Sequence, residues 1–347
     1  MLATIFLQKN TFIDACYIVA FSLFIYGMSG LTGPRTAVRG NMIAAVGMAI
    51  AVIATLLTPH VWDGSSTPYL IVAGLVIGTA IGVPAARTVR MTAMPQMVAI
   101  FNGVGGGAVA LIAWVEYRHG FGGHFAEKNE IFELFGAIVG SISFWGSNIA
   151  FAKLQEILPG RPIKLPGQSV INLILFLVCV GSAIVLAAGT HSQALFILGI
   201  LVAAALLGNM VVLPIGGADM PVVISLLNAF TGLSAAATGM ALNNTALIVA
   251  GMIVGASGTI LTNLMAKAMN RSVPAIVAGG FGGAIAAPAG PGAGEDGRSV
   301  RSTSPQDVAI QLSYARQVVV APGYGMAVAQ AQHAVRELER ALESKGV

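Results

Sequence analysis

Charge is what this chain has least of. Of its 347 residues, 9% are charged, where soluble domains carry about a quarter. That shortage excludes an ordinary soluble globule with a solvated surface. The formal net charge is only +4, and most basic residues flank apolar runs, which argues against a nucleic-acid-binding surface. There are two cysteines, Cys16 and Cys179, both inside apolar runs. They make neither a disulfide frame nor a metal site, and read as inert packing. No cluster has metal-ligand spacing, and no Cys/His pair is placed for nucleophilic catalysis. The N-terminal residues show no signal-peptide cleavage pattern and no Arg/Ser-rich transit segment. The scarcity also has a position: no Asp, Glu, His, Lys or Arg lies in the middle of any apolar run.

What is present is apolar surface in lengths that span a bilayer. Hydrophobic residues make up 56% of the chain, and the mean hydropathy is +0.83. A hydrocarbon core of ~30 Å needs about 20 helical residues. Nine runs qualify: 12–30, 40–57, 69–88, 95–117, 131–154, 169–188, 192–212, 221–240 and 245–269. Gly and Ala fill them, which suits close helix packing in lipid. With the N-terminus outside, the inner side collects Arg35, Arg39, Arg87, Arg90, Lys153, Arg161, Lys164, Lys267 and Arg271. The outer side has only Lys9, Arg118 and Lys128. The excess of basic residues inside therefore predicts an outer N-terminus and an inner C-terminus.

Two of the runs echo each other. Met94–Leu111 and Asp219–Met240 both read Met-Pro, then Val, then Asn seven residues after the Pro. Gly136-Ala-Ile-Val-Gly140, with Asn148 and Lys153, is answered by Gly251-Met-Ile-Val-Gly255, with Asn263 and Lys267. Repeats four spans apart run parallel, so a duplicated unit about an axis along the membrane normal is expected. Each half then buries one amide, Asn102 or Asn228, ~10 Å from the inner side. A buried amide needs partners. Interhelical glue accounts for one such Asn; two at equivalent positions open a water- or ion-path reading. Asp219, just before Pro221, is placed as an N-cap. Glu116 and Glu133, at outer helix ends, read as solvated mouth residues rather than relay groups. Both Gly-xxx-Gly pairs read as packing contacts. Amides do not titrate, so a proton crossing here would need water held by Asn102 and Asn228, or a group from a partner subunit.

After Arg271 the character changes. Residues 1–275 form the membrane domain, 276–305 a Gly/Pro-rich and then polar linker, and 306–347 a soluble α/β piece. Ser304 and Pro305 open a short helix, and Gln317–Ala321 reads as a strand. The run Gly323, Tyr324, Gly325, Met326, Ala327 and Val328 then turns into a helix reaching about Ser344. Gly-x-Gly-x-x-Val between strand and helix is the context of a dinucleotide fingerprint, in which glycine lets the backbone approach a pyrophosphate. Its plain alternative is a strand–helix turn. About 40 residues do not bury enough surface to fold alone, so the piece reads as the truncated first part of a doubly wound domain. The whole is expected to be an all-α polytopic membrane protein of nine spans with a parallel repeat, followed by an incomplete Rossmann-like segment.

At this point the chain resembles the membrane-spanning β subunit of proton-translocating NAD(P) transhydrogenase. The residues that carry the resemblance are Gly216–Val223, Ser225–Asn228, Gly255–Gly258, Ala266–Ser272 and Ala321–His333, and the likeness extends over nearly the whole chain. It implies hydride transfer between NADH and NADP⁺ coupled to proton passage. It implies NADP(H) on this chain's C-terminal domain and NAD(H) on a partner α subunit. It also implies two copies of the αβ unit and a bacterial inner membrane. By resemblance, Asn228 belongs to the proton path, and Asp219, Ser257, Gly258 and Arg271 couple the membrane part to the nucleotide domain. Gly323, Gly325 and Val328 match the fingerprint. Many family members have His where this chain has Asn102, so an α-subunit helix is expected to supply the titratable group. A secondary transporter or channel with a regulatory tail is the alternative; the nucleotide fingerprint is what it leaves unexplained.

Overall fold

The computed structural model describes residues 10–31, 33–58, 67–120, 127–280, 304–321, 323, 326 and 331–347. Among them, nine helices are long and apolar enough to cross a membrane. They are α1 (Asn10–Gly30), α2 (Ala37–Leu56), α3 (Thr67–Thr88), α4 (Met94–Gly120), α5 (Glu127–Leu154), α6 (Gln168–Ala187), α7 (195–212), α8 (Met220–Ala241) and α9 (Thr245–Ala268). Each overlaps a run read from hydropathy, with ends shifted by a few residues. The shifts have local causes. At the start of α7 the Leu195 amide donates to Ser192 Oγ at 3.3 Å, and Leu195–Val202 winds as a π-helix before Ala203–Val212 continues as α-helix. Both Met-Pro helices follow a single 3₁₀ turn, Met91–Ala93 before α4 and Gly217–Asp219 before α8.

The chain divides into two compact units, Met1–Ile285 and Ala286–Val347. In the first, α5 is central and packs against α4, α8, α7 and α6, while α9 packs on α8 and α2 on α1. Small residues allow this. A Cβ on Gly251 would lie 2.6 Å from the Gly232 carbonyl oxygen, and one on Gly232 would lie 2.6 Å from the Gly255 amide. The α8–α9 backbones therefore meet with no room for a side chain. One core cluster joins Ala99, Ala150, Val212, Met220, Ile224 and Leu227. A second, toward the other end of the bundle, joins Ala113, Tyr117, Leu134, Ala137, Phe196 and Ile200.

In the second unit, α11 (Pro305–Ser313) begins with a capping box. The Asp307 amide donates to Ser304 Oγ at 3.1 Å, and the Ser304 amide reaches back to the Asp307 carboxylate. The membrane unit ends in α10 (Val273–Gly280), and α12 (Gln332–Glu343) lies near the C-terminus. The strand expected at Gln317–Ala321 is a correction: these residues have no regular structure, and the described residues contain no strand. A run of valines has strand propensity, but a strand exists only in a ladder, and no other described segment pairs with it.

Candidate functional site

The buried polar groups of the bundle meet where α4, α5 and α8 come together. α5 presents Glu133, Gly136, Gly140, Ser143, Ser147 and Ala150 at alternating three- and four-residue spacing, and all six are buried. That spacing places them on one face. Asn102 of α4, 8% exposed, donates through Nδ2 to Ser147 Oγ at 2.8 Å and to Ser143 Oγ at 3.2 Å. Ser143 Oγ lies 2.5 Å from Thr231 Oγ1 of α8 and 3.0 Å from the Leu227 carbonyl oxygen. Three helices are thus tied by one amide and three hydroxyls. The Asn102 Oδ1 atom is buried and accepts no hydrogen bond among the described residues, so it can take a donor from water or another chain.

Asn228, the second sequence candidate, does not join this network. It is half-buried on α8, next to Leu227, whose carbonyl does join it. Ser143, Ser147 and Thr231 were missed by sequence reasoning. Their signal was present but weak: Ser143 and Ser147 lie four residues apart on the α5 face shared with Gly136 and Gly140, and Thr231 lies three residues after Asn228 on α8.

The coupling candidates divide into two contacts and one isolated group. The Arg271 guanidinium donates to the Asp219 carboxylate at 3.3 Å. Asp219 does not cap α8 as the sequence suggested, since no side-chain cap bond forms there. Its backbone is helical rather than extended, which turns the side chain away from the helix amides, and Pro221 offers no N–H to accept. Gly258 of α9 packs on Ala229 of α8, where an added Cβ would come within 3.0 Å. Beside it, Thr262 Oγ1 donates to Ser225 Oγ at 3.0 Å or to the Gly258 carbonyl at 2.7 Å. Ser257 bonds only its own helix, at the Val254 carbonyl.

Two charged side chains lie deeper than the sequence suggested. Lys153, at the end of α5, is 2% exposed, and its Nζ donates to the Ile215 carbonyl at 2.7 Å and to the Leu213 carbonyl. It therefore closes the C-terminal end of α7, where a cation complements free carbonyls. Glu133, expected to be solvated, is also only 2% exposed. The helices packed on α5 cover it, which the sequence of α5 alone does not reveal. Glu116 is half-buried and His191 is exposed; the side chains of His119 and His124 lie outside the described residues.

In the C-terminal unit, the described part of the fingerprint is Gly323 and Met326; Tyr324, Gly325, Ala327 and Val328 lie outside the described residues. An added Cβ on Gly323 would meet nothing within 4 Å, so the backbone there is open to a phosphate group. Beside it, Arg316, Val318, Val320, Met326, Val335 and Leu338 line a cleft of about 430 Å³. These features fit a nucleotide at this turn as far as they extend. No group of three or more His, Cys, Asp or Glu among the described residues could hold a metal ion.

The nine apolar helices and the buried polar seam define a polytopic helical membrane protein. The family described as NAD(P) transhydrogenase beta subunit matches residues 13–347. Two curated relatives are each 45% identical over 341 residues, covering 96% of this chain and 72% of their own length. Both are called NAD(P) transhydrogenase subunit beta, one from Rhodospirillum rubrum and one from a particular strain of that species. The chain belongs to the NAD(P) transhydrogenase beta subunit family, an oxidoreductase and translocase family that uses NAD(P)(H) and in which a β subunit has an α partner.

Proposed function

We propose that this chain conducts protons along the α4–α5–α8 junction and holds NADP(H) on its C-terminal unit, with NAD(H) bound by the partner α subunit. The observation that carries this reading is the buried Asn102–Ser143–Ser147–Thr231 network, in a member of a transhydrogenase family. Interhelical packing alone does not need an amide with one oxygen left unbonded in an apolar bundle.

The chain's own residues then have distinct tasks. Asn102 and the three hydroxyls hold water and pass hydrogen bonds across the junction, and Asn228 serves the same path from its half-buried position on α8. Asp219, Ser257, Gly258 and Arg271 lie on α8, on α9 or just beyond them, and connect this path to the nucleotide unit. The Asp219–Arg271 pair fixes the start of α8 to the chain just beyond α9, and the Gly258–Ala229 contact lets α8 and α9 move as one body. The turn at Gly323 and Met326, together with the fingerprint residues Tyr324, Gly325, Ala327 and Val328, holds the pyrophosphate of the nucleotide. The bound nucleotide supplies the hydride chemistry. The membrane unit spans residues 1–275, with 276–305 as linker and 306–347 in the nucleotide-binding unit. The inner excess of basic residues supports an outer N-terminus and a cytoplasmic C-terminus in a bacterial inner membrane, and the working assembly is a pair of αβ units.

The test uses the complete αβ enzyme in inverted vesicles, following reduction of an NAD analogue by NADPH together with lumenal pH. Hydride transfer with lumenal acidification, lost in Asn228→Leu, supports the path. Hydride transfer without any pH change removes the path, and no transfer by folded protein removes the enzyme reading in favour of a transporter.

A further inference from the structure

At the end of the bundle away from Lys153, the described residues include several titratable or charged groups. From α4 come Glu116, Tyr117 and Arg118; from α5, Glu130 and Glu133; and after α6, His191. Five of them are engaged or exposed, His191 among the exposed. Tyr117 stacks on Phe196 at 4.5 Å and accepts a hydrogen bond from the Ser192 amide at 3.0 Å. Arg118 lies over the Trp114 ring at 5.5 Å. Glu116 and Glu130 are both part-exposed, and they are the charged groups that act on Glu133. Glu133 differs: it is 2% exposed, and the charges that act on it are acids rather than bases. A carboxyl set three residues inside an apolar span, with acids rather than bases as neighbours, contributes nothing to packing that a leucine would not.

A second observation points inward from it. Thr238 of α8 is 0% exposed, and its Oγ1 has no hydrogen-bond partner among the described residues. That hydroxyl faces α5 at Gly136, where an added Cβ would lie 2.5 Å from it. Gly136 is one turn inward of Glu133. The absence of a side chain there is what leaves the hydroxyl its space. Further along α8, Thr238, Ser234 and Thr231 follow at four- and three-residue spacing, so they share one face. Ser234 is 0% exposed, and Thr231 meets Ser143 and, through it, the Asn102 network. On α5, Glu133, Gly140 and Ser147 are seven residues apart and lie on one face. From Glu133 to Ser143 is ten residues, about 15 Å of helix.

We propose that Glu133 is the proton-loading group of this chain at the end opposite Lys153, and that the hydroxyls of Thr238, Ser234, Thr231 and Ser143 carry the proton between it and Asn102. The step balances simply. The Glu133 carboxylate takes one proton from the aqueous phase at its own end, and the carboxyl later gives one proton inward; no bond other than O–H forms or breaks. This rests on the proton-path reading above, extends it by about 15 Å, and gives the path a titratable group within this chain.

The test again uses the complete αβ enzyme in vesicles, with hydride exchange between bound nucleotides as the uncoupled control. Wild-type enzyme must first show coupled proton movement; if it does not, the path reading itself fails, whatever Glu133 does. Given coupling in wild type, Glu133→Gln should lower proton-coupled turnover by about 100-fold, the low end of what a positioned acid–base group contributes. Uncoupled exchange should stay unchanged. Glu133→Asp should restore coupling with a displaced pH profile, measured by varying pH on the loading side alone. Thr238→Val should slow coupled turnover while Thr238→Ser does not, and this pair decides the matter if Glu133→Gln does not assemble. Coupled turnover at the wild-type rate in Glu133→Gln, or in Thr238→Val when Glu133→Gln does not assemble, overturns the proposal. So does a loss that Glu133→Asp leaves unrepaired.

Discussion

Asn102 carries little of the bundle's stability and much of its proposed function, and the two can be separated. Interhelical hydrogen bonds in membranes contribute about 0.6 kcal/mol each, and Asn102 makes two, to Ser143 and Ser147. Asn102→Leu should therefore cost about 1 kcal/mol or less, read as a small change in thermal unfolding of the detergent-solubilised protein. Proton-coupled turnover should fall far more than that stability change explains. A residue that only packs would show the reverse: a stability loss with intact coupling. The sequence announced Asn102, because an amide in an apolar run is rare. It did not announce Ser143, Ser147 or Thr231, because a hydroxyl in a helix can bond its own backbone four residues back. Thr231 has that option at the Leu227 carbonyl, 3.0 Å away. Which hydroxyls face a neighbour depends on the rotation of each helix, and that is set by glycine contacts between helices far apart in the chain. Glu133 was misread for the same reason: its burial comes from helices packed on α5, which the sequence of α5 does not show.

Helices were legible as elements because twenty apolar residues in lipid have few alternatives to helix. The valine-rich Gln317–Ala321 lacks that compulsion. In water an extended segment needs a neighbouring strand, and the described residues offer none. The junction of α8 and α9 shows what element-level packing adds to residue lists. The 3₁₀ turn Gly217–Asp219 leads the chain into α8, and Arg271 stands just beyond α9. Their ion pair at 3.3 Å, with side-chain exposures of 17% for Asp219 and 29% for Arg271, ties the start of one helix to the end of the next. Partial exposure limits its thermodynamic worth to about 1 kcal/mol or less, so its value lies in position. Arg271→Ala and Asp219→Ala should each reduce coupling between nucleotide occupancy and proton movement, with only a slight shift in unfolding temperature. The reversed pair, Asp219→Arg with Arg271→Asp, should recover part of the coupling in a double-mutant cycle. Additive losses with no recovery would mean that the two residues act separately.

At the scale of the molecule, the bundle has one helix that the rest of the chain scarcely covers. None of α3's membrane window, within Pro68–Thr88, is buried, although its mean hydropathy is 2.0. On it Gly74, Gly78 and Gly82 recur every four residues, and an added Cβ on any of them would meet nothing within 4 Å. Elsewhere in this bundle glycines at such spacing mark backbone contact, as between α8 and α9. An exposed ridge of them makes a shallow groove into which another helix can settle, since association in lipid depends on close van der Waals approach rather than on apolarity. Lipid alone would be served equally well by leucine. The chain belongs to a family of β subunits, and the helices of its α partner are the natural occupants. Gly78→Ile should then leave this chain's own unfolding nearly unchanged, because no described residue lies within 4 Å of a Cβ there, yet weaken its co-purification with the α subunit in mild detergent. Gly181, also open on the exposed side of α6 with nothing within 4 Å, supplies the control: Gly181→Ile should leave the complex intact. If Gly78→Ile and Gly181→Ile behave alike, α3 faces lipid and is not where the α subunit docks.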